Sequence, residues 1–301
     1  MIMNKQKLKR NIPLHLMLIP GIAVSLVFVY LPLAGSVMAF QEYSPVKGFF
    51  GSEWVGLKNF EFIANLPGSF QVLWNTIYIA FFKIVGNILV PVSFALLLNE
   101  VRSNKIKRTL QTFIYMPNFL SWIILSGIIM DLFSPSGGLV NAFLGLFGIG
   151  PIFFLGDTFW FPVTMILTDI WKGFGFGTVI YLAALTSISP NLYEAAMIDG
   201  AGRWKQTWHI TLPGMTPIII LMTVLGLGNV LNAGFDQVFN LLSPAVYDTG
   251  DIIDTFIYRL GMVQQQYSAS AAVGLFKSVV SFVFVSMSYL LADKLANYRI
   301  F

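Results

Sequence analysis

Residues 189–213 read SPNLYEAAMIDGAGRWKQTWHITLP. Ser189 followed by Pro190 predicts a helix start: a hydroxyl at the cap, then a proline in the first turn, where no N–H is needed. Leu192, Ala195, Ala196 and Ile198 give that helix an apolar side. Gly200 and Gly202 end it, because glycine takes the left-handed conformation of a helix terminus without a Cβ penalty. Residues 203–210 predict a second short helix, stopped before Pro213. The product is a compact helix–turn–helix with small residues (Ala195, Ala196, Gly200) for close approach of another protein, and Glu194 and Asp199 as charged edges. An ordinary amphipathic loop lying on a membrane surface has the same pattern.

The sequence on either side decides the fold. Long apolar runs flank this elbow, and the whole chain follows suit: 301 residues, 56% hydrophobic and 11% charged. A soluble domain carries about 25% charged residues, so lipid is the solvent that suits this composition. A hydrocarbon core needs roughly 20 apolar residues in helical form. Six stretches qualify, over about 14–40, 72–98, 111–133, 158–186, 214–238 and 270–292. The first is too long for a signal-peptide core and shows no clear small-residue cleavage site. Twelve of the 18 basic residues fall on one side: Lys5, Lys7, Lys9, Arg10, Arg102, Lys105, Lys107, Arg108, Arg203, Lys205, Lys294 and Arg299. Lys47, Lys58 and Arg259 fall on the other. The positive-inside rule places both termini and the elbow in the cytoplasm. The outer loops are then 41–71, 134–157 and 240–269. None is large enough for a separate soluble domain, so residues 1–301 form a single transmembrane domain of all-α, polytopic, six-helix architecture.

Ionisable residues inside spans cost roughly 2.5–3.5 kcal/mol each and usually face a cavity or a partner. Lys83, Asp169 and Lys172 lie deep in predicted spans. Asp169 and Lys172, three apart, share a helix face and are placed to pair with each other or to line a hydrated path. Lys277, Asp131 and Asp236 lie nearer the outer ends, where snorkelling accounts for them. Polar and aromatic side chains suited to sugar recognition cluster in three spans: Asn118, Ser121 and Trp122; Asp169, Trp171, Phe174 and Phe176; and Asn229 with Asn232, read as one face of the fifth span. Plain helix packing is the competing reading for each aromatic. The glycines at 173–177 and 226–228 lie within apolar spans and suit close helix contact.

Several classes are excluded. There is no cysteine and there are two distant histidines, so no thiolate, disulfide or His/Glu metal site is expected. No G-x-x-x-x-G-K-[ST] phosphate loop occurs, so the chain is not expected to hydrolyse ATP itself, and no cofactor bound by this chain is expected. A net charge of +4 spread over short segments does not suit nucleic acid. A transporter driven by an ion gradient, with Lys83 and Asp169 as coupling groups, remains as an alternative.

The elbow also carries a resemblance. Glu194-Ala195-Ala196, three residues, Gly200, nine residues, Ile210, one residue, Leu212-Pro213 resembles the EAA signature of ABC importer permeases, and Asp199-Gly200-Ala201 matches its context. Trp54-Val55-Gly56-Leu57-Lys58-Asn59-Phe60 and Phe133-Ser134-Pro135-Ser136-Gly137-Gly138-Leu139-Val140-Asn141 are similar to outer segments of the carbohydrate (maltose-type, type I) branch. Residues 234–261 resemble members handling oligosaccharides and polysaccharide fragments. The resemblance implies a type I permease fold in a bacterial plasma membrane. It implies a second homologous permease forming a heterodimer, a dimer of ATP-binding subunits that holds ATP and Mg, an extracellular solute-binding protein and an oligosaccharide substrate. The elbow would couple to the ATPase. By similarity, Asn118, Trp122, Asp169, Lys172, Gly173, Phe176 and Asn232 would line the substrate pathway, with Asn229 and Lys83 beside them. The charges at Asp169 and Lys172 point to a large or polar ligand, an anionic one included.

Overall fold

The computed structural model describes residues 5–296, with side chains over 14–290. The basic residues of the two tails, Lys5, Lys7, Lys9, Arg10, Lys294 and Arg299, lie outside the described side chains. Five helices are long and apolar enough to cross a membrane, and a sixth crossing is a bent pair. Span 1 is Leu14–Phe40, span 2 Ser69–Glu100, span 4 Trp160–Thr186, span 5 Arg203–Gly228 and span 6 Tyr267–Leu290. All side chains from Leu14 to Ala34 are exposed. So long an uncovered apolar surface belongs in lipid or against another subunit.

Span 3 departs from the expected single helix over 111–133. It consists of Asn104–Phe119 and Trp122–Leu132, bent by 102°. Pro117 lies in the 3-10 turn Met116–Phe119 and brings no N–H to continue the ladder. Leu120 and Ser121 then extend. Ser121 caps the new helix by accepting from Ile124 N at 3.4 Å. Span 5 also departs from expectation. Expected over 214–238, it begins at Arg203 and ends at Gly228. Pro213 does not stop it, because the π-turn Thr207–Thr211 shifts the ladder and Leu212 N bonds to Thr207 O. The elbow's second arm is therefore continuous with the span. At the other end, Gly234 takes φ +91° and caps a separate helix, Phe235–Leu241.

The chain divides into two compact units: the residues up to Leu66 with Ile257–Phe276, and Pro67–Phe256 with the residues from Lys277. In the second unit, spans 2 and 4 pack through small residues. A Cβ on Gly173 would meet Asn87 Oδ1 at 3.0 Å, and one on Gly177 would meet Pro91 Cγ at 3.1 Å. A Cβ on Gly175 would overlap the carbonyl of Ile114 in span 3. One apolar cluster joins Ile79, Leu125, Phe161, Met165 and Val238. Another joins Val92, Ala95, Tyr181, Leu185 and Met215. The loop 134–157 contains the short helix Leu139–Gly145, clamped by Asn141. That buried amide donates to Ser134 O (2.9 Å) and Ile152 O (3.0 Å) and accepts from Ile152 N (2.8 Å).

In the first unit, Gln41–Glu42 pairs antiparallel with Glu53–Trp54, in register Gln41↔Trp54. Asn59, on the helix Lys58–Asn65, holds this strand by donating to Ala39 O (2.9 Å) and Gln41 O (3.0 Å). Tyr43 N donates to Ser268 Oγ at 2.9 Å.

Candidate transport pathway and coupling elbow

Spans 2, 4 and 5, with the turn after span 5, line an open cavity of about 400 Å³. Lys83, Asn87 and Asp169 line it, with Asn229 and Asn232 from the end of span 5. Lys83 is 5% exposed, and its ammonium has three donors to place. One goes to Ala233 O at 2.7 Å and one to Gln237 Oε1. The third faces Asp169 Oδ1 at 3.4 Å. Asp169 Oδ2 accepts from Asn87 Nδ2 at 3.0 Å. Gln237 is fully buried and donates to Met165 O (2.9 Å) and Thr168 Oγ1 (2.7 Å). Spans 2 and 4 and the turn after span 5 are thus tied by one satisfied network, as a buried charge requires.

Asp169 and Lys172, read from sequence as a potential pair, have different partners. Lys172 Nζ donates to Asn118 O at 3.2 Å and lies 5.3 Å from the centre of the Trp122 ring. No carboxylate among the described residues pairs with it. Asn118, Trp122 and Lys172 thus form a second cluster, held at the break in span 3. Gly173 lies against Asn87. Phe176 is half exposed and does not line the cavity. Asn229 and Asn232 are not on one helix face: Asn229 closes span 5 and Asn232 lies in the turn beyond. Both nevertheless reach the cavity, because the chain reverses there. Lys277 does not snorkel. It forms an ion pair with Asp254 at 2.5 Å, both side chains about a fifth exposed.

Three network side chains, Asn87, Thr168 and Gln237, were missed in the sequence. Asn87 is one helical turn from Lys83 and shares its face, a signal that was available. Gln237 gave none, because its role depends on a turn that folds it back against span 4.

The elbow matches its sequence reading in outline. Pro190–Ile198 ends in a Schellman reversal: Gly200 takes φ +76°, Ala201 N bonds to Ala196 O (2.8 Å) and Gly200 N to Met197 O (3.1 Å). Ser189 is extended as a cap residue should be, but its hydroxyl makes no cap bond. Tyr193 OH meets Thr211 Oγ1 at 3.0 Å, and Gln206 Nε2 donates to Ala201 O at 2.8 Å, which fixes the angle between the two arms. Arg203 pairs with Glu100, the last residue of span 2, at 2.7 Å. Glu194, Ala195, Asp199, Gly200 and Pro213 are exposed, while Ala196, Ile210 and Leu212 are half-buried. Leu192, Met197, Ile198 and Trp204 are also exposed, so this face of the elbow is apolar and uncovered within the chain.

Apolar helices long enough to cross a membrane, a helix–turn–helix elbow continuous with span 5, and a polar cavity lined by spans 2, 4 and 5 together fit a membrane permease. The chain belongs to the family described as binding-protein-dependent transport system inner membrane component, which matches residues 87–297. It is 42% identical over 288 residues to the polygalacturonan/rhamnogalacturonan transport system permease protein YteP of Bacillus subtilis (strain 168), covering 96% of this chain and 90% of that one. Protein LplB of the same organism is 42% identical over 287 residues, with 95% and 90% covered. A chain from a bacterial ABC transporter involved in the import of the acidic polysaccharide alginate superposes with a TM-score of 0.89 at 35% identity, covering 96% of this chain and 98% of that one. Another, from the bacterial alginate ABC transporter in complex with an alginate pentasaccharide-bound periplasmic protein, superposes at 0.90 with 34% identity, covering 98% and 99%. This chain is accordingly a membrane-spanning permease subunit of an ATP-binding-cassette importer.

Proposed function

We propose that the chain imports oligosaccharides or polysaccharide fragments, acidic ones included, with a second homologous permease, a dimer of ATP-binding subunits and an extracellular solute-binding protein. ATP and Mg bind on the ATP-binding subunits, and both termini of this chain face the cytoplasm. One observation carries the coupling mechanism: span 5 is a single helix from the elbow to the cavity. Its 26 residues reach about 39 Å at 1.5 Å per residue. Closure of the ATPase on the uncovered apolar face of the elbow would displace Arg203 and, through this rod, Asn229 and Asn232 at the cavity. Sugar hydroxyls would find an acceptor in Asn229 Oδ1, since its Nδ2 is already used on Leu225 O at 3.0 Å, and a donor in Asn232 Nδ2, since its Oδ1 already accepts from Gly234 N at 3.4 Å.

Lys172 supports the acidic substrate class. A cation whose partners among the described residues are a backbone carbonyl and a ring face is under-compensated for a site inside a span, and the carboxylate of a uronic acid unit would complete it. The test uses the assembled importer in proteoliposomes with its solute-binding protein. ATP-driven uptake of a uronic acid oligosaccharide should fall about tenfold or more in Lys172→Met, as expected for loss of a hydrogen bond to a charged group. Uptake of a neutral oligosaccharide of equal length should change little. Equal loss for both would remove the carboxylate-reading role.

A further inference from the structure

In the first unit, a hollow of about 300 Å³ opens between the strand Gln41–Glu42, the helix Lys58–Asn65 and residues 265–269. This volume is at the lower end of the roughly 300–1,000 Å³ range of small-molecule sites. The sequence-derived topology puts both contributing loops, 41–71 and 240–269, on the extracytoplasmic side.

Gln265 is the lining residue that asks for an explanation. Among the described residues it is the one non-glycine with positive φ, at 58°. Its conformation closes the π-turn Arg259–Val263, with Gln264 N on Arg259 O (2.9 Å) and Gln266 N on Leu260 O (2.8 Å). Glycine would take this backbone without strain, yet a long amide side chain stands there. Strain retained at a pocket is a pointer to use of the side chain. Among the described residues, the side-chain amides of Gln265 and Gln266 have no hydrogen-bond partner, and both residues are exposed. Asn59 spends its Nδ2 on the strand and keeps Oδ1 as an acceptor. Tyr43 and Tyr267 meet at right angles with ring centres 6.2 Å apart, forming a flat-walled corner. The two charges of the lining, Glu42 and Lys58, cancel.

We propose that this hollow is an extracytoplasmic saccharide site for one or two uncharged sugar units. Aromatic walls suit the apolar faces of a sugar ring, amides that both donate and accept suit its hydroxyls, and a lining without net charge does not select an ion. The proposal rests on the reading of the chain as an oligosaccharide permease.

The experiment uses the assembled importer in lipid nanodiscs without solute-binding protein, titrated with neutral oligosaccharides by saturation-transfer NMR. Wild type should bind. Gln265→Gly, which removes the amide and relieves the backbone, should bind about tenfold more weakly while its unfolding temperature holds or rises. Tyr267→Ala should also weaken binding. Binding unchanged in Gln265→Gly belongs to the span cavity and overturns the proposal. So does a wild type that binds no sugar directly while ATP-driven uptake proceeds. A Gln265→Gly variant that loses affinity only for the solute-binding protein marks a protein dock and also overturns it. If wild type fails to take up any saccharide with every partner present, the importer reading itself falls.

Discussion

At the scale of single residues, the informative positions are the charges inside the spans. Lys83 has all three donors placed, and Asp169 is shared by Lys83 and Asn87. Such saturation suits a joint better than a proton or ion shuttle. Removing one partner of a buried pair leaves the other uncompensated, at a cost of about 3 kcal/mol for a pair buried this far. Lys83→Met should therefore lower the denaturation midpoint of the purified importer clearly, and Lys83→Met/Asp169→Asn should recover part of the loss. A double variant as unstable as the sum of the two singles would show that the pair is not coupled. The presence of intramembrane charges was legible in the sequence, but their partners were not. Asp169 and Lys172 are three apart, yet one turns to span 2 and the other to the break in span 3. Side-chain choice between two neighbouring helices is a tertiary matter.

At the scale of elements, two glycines separate packing from conformation. Gly175 lies against the carbonyl of Ile114, which cannot give way as a side-chain end could. Gly175→Ala should push span 4 from span 3 and destabilise the subunit by about 1–3 kcal/mol, read as a lower melting temperature. Gly200 has open space around it but φ +76°. Gly200→Val should strain the elbow by roughly 1–2 kcal/mol and block its docking face. ATP-driven uptake should be lost while the subunit still assembles. Uptake at the wild-type rate would end the coupling role of the turn. The helix–turn–helix was readable from Pro190, Gly200 and Gly202, which act locally. The fusion of its second arm with span 5 was not, because proline ordinarily stops a helix and the π-turn that accommodates Pro213 has no sequence signature.

At the scale of the whole molecule, the chain is one part of a machine. Reconstituted alone in vesicles, it should support neither ATP hydrolysis nor gradient-driven uptake. Radiolabelled oligosaccharide accumulating under a proton or sodium gradient would favour an autonomous secondary transporter instead. The uncovered side chains of span 1 and of the elbow fit this dependence on partners, since both faces are apolar and uncovered in the isolated chain.

What the sequence alone determined is what depends on composition and short-range pattern. It set the membrane as solvent, the number of crossings, the elbow at 189–213 and the presence of charges within the spans. Transfer of apolar residues to lipid and the conformations of proline and glycine are decided within a turn or two of helix. Only the tertiary structure decided the 102° break in span 3, the early end of span 5, the Lys83–Asp169–Gln237 joint and the hollow at Gln265. Each of these depends on which distant segment completes a hydrogen bond or fills a gap, and no single segment carries that information.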